Sequence, residues 1–136
     1  MLNVGIVGLG TIGKVVAKAL DDGMSGLKLN GIASGRREKA EAFLATLNTP
    51  IEIMSIEEVA ESCEIVVDCA PKVVFAEIAN ATISRGKVLV TVSGAGILAN
   101  PDIEKQAAEK KARVILATGA LLGLDAVRAA AEGTIN

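Results

Sequence analysis

Leu2-Asn3-Val4-Gly5-Ile6-Val7 runs directly into Gly8-Leu9-Gly10-Thr11-Ile12-Gly13, and the reading of this junction decides the fold. The first six residues are a short, almost continuously apolar run, the pattern of a strand buried on both faces of a parallel sheet. The next six are G-x-G-x-x-G. After them Ile12, Val15, Val16, Ala19 and Leu20 recur at helical spacing, with Lys14, Lys18, Asp21 and Asp22 on the opposite face and Gly23 as a stop. Strand, glycine turn and helix in this order form a dinucleotide-binding fingerprint. Gly8 makes the tight turn, Gly10 lets backbone approach a pyrophosphate, Gly13 lets helix pack closely on strand, and Thr11 and Ile12 carry free N–H groups at the helix start.

Composition narrows the alternatives. A chain of 136 residues, 51% hydrophobic and 22% charged, suits one domain with a substantial core. A net charge of −2 gives no basic footprint for nucleic acid or an anionic membrane, and two Phe with no Trp or Tyr leave no aromatic platform for base stacking. Neither nucleic acid nor membrane is therefore expected as a partner. No apolar run approaches a membrane span and no basic, cleavable leader precedes the first strand, so a cytoplasmic location is expected. Cys63 and Cys69 read as reduced thiols, and with no histidine in the chain they do not make a zinc shell.

The pattern set by the first twenty residues continues. Leu27 to Ala33 reads as a second strand ending at Ser34-Gly35-Arg36-Arg37. A helix follows, carrying Ala40, Phe43, Leu44 and Leu47 and closed by Asn48-Thr49-Pro50. Ile51 to Met54 is a short third strand, and Ser55 with Glu58 forms a capping box for the next helix. Ile65 to Ala70 is a fourth strand. Pro71 starts the helix of Val74, Phe75, Ile78, Ala79 and Ile83, ended by Gly86. Lys87 to Val92 is a fifth strand opening into the turn Ser93-Gly94-Ala95-Gly96. Asn100 or Pro101 starts a helix with Ile103, Ala107 and Ala108 inside, and Val114 to Ala117 is a sixth strand. Strands alternating with helices define an α/β fold: a Rossmann-type, doubly wound parallel sheet of about six strands in a single domain, with a switch point between the first and fourth strands.

Ligands in such sheets lie beyond the carboxyl ends of the strands. Those ends here are small or glycine-rich: Gly8 to Gly10, Ser34 to Arg37, Cys69-Ala70-Pro71, Ser93 to Gly96 and Thr118-Gly119-Ala120. An NAD-selective site places an acid at the end of the second strand to accept from the ribose 2′-OH, and none stands here before Glu38. Ser34, Gly35, Arg36 and Arg37 instead offer a hydroxyl, a backbone N–H and two guanidinium groups to a 2′-phosphate, so NADP is expected over NAD. The alternative reading is that Ser34 caps a helix and both arginines are solvated. Ser93 either contacts the nicotinamide end or bonds its own turn. Asp68 and Asp125 read as structural carboxylates, and Cys69 as a small buried hydrophobe.

Taken with Thr118-Gly119-Ala120-Leu121-Leu122-Gly123-Leu124-Asp125-Ala126-Val127-Arg128-Ala129-Ala130, these motifs resemble the cofactor-binding half of the L-aspartate dehydrogenase family. The resemblance covers nearly the whole chain. It implies NAD(P)-dependent oxidation of L-aspartate to iminoaspartate, a place in NAD biosynthesis and a homodimer. It also places Ala70 and Pro71 beside the cofactor and Ala120 near the nicotinamide. Family members continue into a second domain with a catalytic histidine, and this chain has none. Residues 1–136 are accordingly expected to be a dinucleotide-binding domain, with 119–136 leading toward a C-terminal catalytic domain that is absent, and no catalytic residue is assigned. L-Aspartate would then be a partner only where that domain is supplied. Two other readings stay open: the cofactor domain of a homoserine dehydrogenase-like enzyme, and a stand-alone dinucleotide-sensing module.

Overall fold

The structure, a computed structural model, describes residues 1–117 and Val127. Its strands are β1 (Leu2–Val7), β2 (Leu27–Ala33), β3 (Glu52–Ile53), β4 (Ile65–Asp68), β5 (Val88–Thr91) and β6 (Arg113–Leu116). Between them lie α1 (Thr11–Asp22), α2 (Arg37–Leu44), α3 (Ile56–Ser62), α4 (Phe75–Ile83), α5 (Gly94–Ala99) and α6 (Ile103–Lys110). All strand pairs are parallel, in the order β3-β2-β1-β4-β5-β6. The chain therefore winds outward from β1 in one direction, returns to β1's other edge and winds outward again, which is the expected doubly wound sheet with its switch point between β1 and β4.

Alternation along the strands fills two cores. Val4, Ile6, Leu27, Leu29, Ile32, Ile65, Val67, Val88 and Val90 face one side and pack with Val16, Ala17 and Leu20 of α1 and with Phe43 and Leu44 of α2. Val7, Ala33, Val66 and Leu89 face the other and pack with Val59 of α3, Phe75 and Ile78 of α4 and Ile103 of α6. Each fully buried Val, Ile or Leu contributes about 1.5–3 kcal/mol relative to exposure, so the sheet's two-sided apolar pattern is the main stabilising term. Cover thins at the edge strand β6, whose residues are only half-buried or exposed.

Several boundaries differ from expectation. In α1 the buried stripe is Gly13, Val16, Ala17 and Leu20, while Val15 is 42% exposed, because close approach at Gly13 rotates the helix so that Ala17 faces the sheet. Helix α2 stops at Leu44, and Leu47 lies in the following turns. There Asp21 accepts from the Asn48 and Thr49 N–H groups at 2.8 and 3.1 Å, which ties that connection to the end of α1. These bonds, the Asn48 N–H foremost, hold the Asp21 carboxyl below the usual carboxylate range. Pro71 precedes a 3-10 turn, Lys72–Val74, and α4 begins only at Phe75. Ala108 is exposed, and Ala107 alone of that pair is buried. The turn read at Gly94 to Gly96 is the start of helix α5. The capping box of α3 is present as expected: Ser55 Oγ accepts from Glu58 N at 3.1 Å and Ser55 N donates to Glu58 Oε1 at 3.2 Å.

The glycine turn is held by contact. Gly8 has φ +95°, and a Cβ there would lie 2.7 Å from the Cys69 carbonyl oxygen and 2.8 Å from Ala70 backbone; a Cβ on Gly13 would fall on the Gly8 carbonyl oxygen. Gly13→Ala is therefore expected to force α1 off the sheet and cost about 1–3 kcal/mol or more in urea unfolding. Gly10→Ala, with nothing within 4 Å of its Cβ position, is expected to stay within about 0.5 kcal/mol of the parent.

Candidate functional site

The carboxyl ends of β1, β2 and β4 bring the expected residues to one edge. Gly8 N donates to Ala33 O at 2.8 Å, joining the glycine turn to the end of β2, and Cys69 N donates to Val7 O at 2.8 Å, joining it to the end of β4. Gly10 caps α1 with extended backbone (φ −77°, ψ −161°) and no side-chain acceptor, and its carbonyl accepts from Lys14 N at 3.0 Å. The first-turn N–H groups of Thr11, Ile12 and Gly13 thus lie at a helix end that no side chain among the described residues caps. The open space over Gly10 admits close backbone approach by a ligand.

Beside this helix end lies a cleft of about 420 Å³, floored by Val7 and Gly8 and walled by Ala33, Ser34 and Gly35 on one side and Ala70, Pro71 and Val74 on the other. Met54, Ser55 and Ile56, at the end of β3, complete it. Its size and apolar walls suit a flat heteroaromatic ring. No carboxylate among the described residues lines it. Met54, Ile56 and Val74 were not expected to line a site, because in sequence each reads as ordinary core.

The arginine turn divides. Ser34 Oγ accepts from Arg36 N at 3.2 Å, so the serine does organise its own turn. Arg36, at the N-cap of α2, is exposed and makes no ion pair among the described residues. Arg37 instead pairs with Glu41 one turn along α2, Nε to Oε1 at 3.1 Å. It lines a separate, open groove of about 510 Å³ with Glu41, Leu44, Pro50 and Ile51. Ser34 and Gly35 therefore line the cleft at the glycine edge, Arg36 stands exposed at the start of α2 next to them, and Arg37 lines the separate groove.

On the far side of β1, Ser93 Oγ accepts from Gly96 N at 3.0 Å and caps α5, which is the local of its two expected roles. Ala120 and Asp125 lie outside the described residues. Asp68 is 1% exposed; its Oδ2 accepts from Thr91 Oγ1 at 2.7 Å and its Oδ1 from Ala70 N at 3.1 Å. Burial pushes its carboxyl above the ordinary value, and the two hydrogen bonds only partly offset this. No group of metal-ligating side chains occurs among the described residues, and no helix among them is long and apolar enough to cross a membrane.

A parallel sheet in this order, an unblocked helix end at its switch point and an adjoining apolar cleft together define a Rossmann-class dinucleotide-binding domain. A family model described as the NAD-binding domain of homoserine dehydrogenase matches residues 8–117. The chain belongs to that family, and its ligand is a nicotinamide dinucleotide. It is 44% identical over 99% of its length to an L-aspartate dehydrogenase of Bradyrhizobium diazoefficiens and 35% identical over 99% to L-aspartate dehydrogenase 3 of Bordetella bronchiseptica. It spans about half the length of these relatives, 48% and 50%. A biliverdin reductase from Synechocystis, solved with biliverdin and NADP+, shares the fold: TM-score 0.74, 18% identity, 85% of this chain and 37% of that one.

Cys69 follows β4 directly, beside Asp68 and the glycine turn. Cys69 is half-buried, not fully buried as expected, yet desolvation, with a smaller push from the Asp68 charge, raises its thiol from 9.0 to about 12. At pH 8 this leaves roughly a thousandfold less thiolate than an ordinary cysteine holds. Cys69 is therefore expected to resist an aromatic disulfide reagent in the native protein and to react fully in urea. Equal rates in the two states, followed by absorbance, would contradict the burial.

Proposed function

We propose that this chain is the NAD(P)-binding domain of an enzyme that oxidises L-aspartate to iminoaspartate, in the route to NAD. Two relatives at 44% and 35% identity, both named L-aspartate dehydrogenases, support the substrate. The observation that carries the cofactor's placement is the unblocked α1 end with open space over Gly10. The residues present fit a dinucleotide there. Gly8, Gly10 and Gly13 shape the turn for the pyrophosphate, and the N–H groups of Thr11 and Ile12 face it. Ala70 and Pro71 flank the adenine cleft, and Ser93 stands on the nicotinamide side. A nicotinamide cofactor held by these residues would supply the hydride acceptor for oxidation of an amine to an imine. The chain's own residues bind, orient and exclude water. None of its 136 residues is a histidine, and this reading assigns the proton-handling group to the part of the relatives' length that the chain does not span. Homodimeric assembly and a cytoplasmic location are part of the same proposal.

The family description supports a second substrate reading, L-homoserine. Cofactor reduction by the full-length enzyme with L-aspartate and with L-homoserine separates the two. The purified 136-residue chain is expected to bind NAD(P)H, seen as a change in cofactor fluorescence, without reducing cofactor when aspartate is added. Steady aspartate-dependent reduction by this chain would sink that expectation. Gly10→Ala is expected to weaken dinucleotide binding at least tenfold, because its methyl occupies the space that backbone approach requires.

Cofactor choice follows from the end of β2. Ser34 and Arg36 face the ribose with no acid to repel a 2′-phosphate, so NADP is preferred over NAD. A charge-assisted hydrogen bond contributes about 1.5–3 kcal/mol, so Arg36→Ala should weaken NADP binding roughly ten- to a hundredfold and leave NAD nearly unchanged. Arg37→Ala should do the same to a smaller extent, since Arg37 must first leave Glu41. Equal losses for both cofactors in calorimetry would assign the arginines to the fold.

A further inference from the structure

With the adenine in the cleft between the ends of β2 and β4 and the pyrophosphate over β1, the second half of the dinucleotide would extend over β4 and β5. That placement rests on the proposed function. Beneath it lies a hydrogen-bond chain that no cofactor contact requires. Asp68 and Thr91 are register partners at the last residues of β4 and β5. Thr91 Oγ1 donates to Asp68 Oδ2 at 2.7 Å and accepts from Ser93 N at 3.0 Å, while Asp68 Oδ1 accepts from Ala70 N at 3.1 Å. One carboxylate and one hydroxyl thus hold the first residues of both loops that leave the sheet here. Asp68 and Thr91 are 1% and 0% exposed, and Asp68 has no cationic partner among the described residues.

A buried, unpaired carboxylate is a costly strut, and an apolar pair between strands would stabilise the sheet more cheaply. What the carboxylate supplies is two-point acceptance: it fixes Ala70 and, through Thr91, Ser93 at once. The far loop has little slack, since Ser93 Oγ caps Gly96 and a Cβ on Gly96 would meet the Phe75 ring at 2.5 Å. We propose that Asp68, acting through Thr91, is the positioning residue for the nicotinamide end of the site. It sets the spacing between the loop that begins at Ala70 and the loop that begins at Ser93.

The test compares a whole dinucleotide with its adenine half on the purified chain. Affinities for NADPH and for 2′-phospho-ADP-ribose are measured by calorimetry for the parent, Asp68→Ala, Thr91→Val and Thr91→Ser, with thermal melts to confirm folding. The parent is expected to bind NADPH more tightly than the fragment. Thr91→Val should weaken NADPH about tenfold while the fragment stays within about twofold, Thr91→Ser, which keeps the hydroxyl, should match the parent, and Asp68→Ala, which also frees Ala70 in the wall of the adenine cleft, should weaken NADPH about tenfold or more. Parallel losses for both ligands in Thr91→Val would reduce the pair to a fold strut and overturn the proposal, as would unchanged NADPH affinity in a folded Asp68→Ala. Should Asp68→Ala not fold, Thr91→Val against Thr91→Ser gives the same comparison. A parent chain that binds neither ligand would instead overturn the proposed function, a result distinct from either of these.

Discussion

Three stretches of backbone meet at one point where no side chain fits. Gly13 packs on the Gly8 carbonyl, and Gly8 packs on the backbone of Cys69 and Ala70. This contact presses α1 against β1 and β1's end against β4's end, and the rest of the site is laid out from it. The helix end is aimed by it, the β2 turn is tied to it through Gly8 N, and the cleft is floored by it. Two glycines therefore act sterically, to permit approach, whereas Gly10 acts by leaving room on the solvent side.

The same distinction explains what could be read from the sequence. The strands β1 and β2, helix α1 and the capping box of α3 each carry a strong local signal, apolar runs of strand length, a helical stripe or a paired cap, and tertiary packing agrees with it. Helix α5 was missed because it is six residues long and opens on glycines, which are weak helix formers; Ser93 as N-cap was its one legible sign. Pro71 misled because its fixed φ suits a 3-10 entry as well as a helix start. Val15 misled because periodicity gives a stripe but not its centre, which packing at Gly13 decides.

At the site, the glycines and the acid-free end of β2 were legible as types, while the division between Arg36 and Arg37 was not. Its signal was present as Glu41, four residues past Arg37 on the same helix face, the spacing at which opposite charges meet. Such an exposed pair contributes only about 0.3–0.5 kcal/mol, too little to hold Arg37 against a phosphate but enough to set where it rests. The wall residues Met54, Ile56 and Val74 were illegible for a different reason: an apolar residue past a strand end is indistinguishable in sequence from ordinary core.

The central position of β1 also governs the order in which the domain is completed during synthesis. β1 is made first, yet its second neighbour, β4, pairs Val4 with Ile65 and Val7 with Asp68, about sixty residues later. A nascent chain shorter than this has β1 paired on one side only, an open apolar edge of the kind that recruits other strands. Until Cys69 and Ala70 emerge, Gly8 has nothing to pack against on that side. The pyrophosphate turn thus takes its shape only once the long-range pairing of β1 with β4 has formed, and not from its own loop alone.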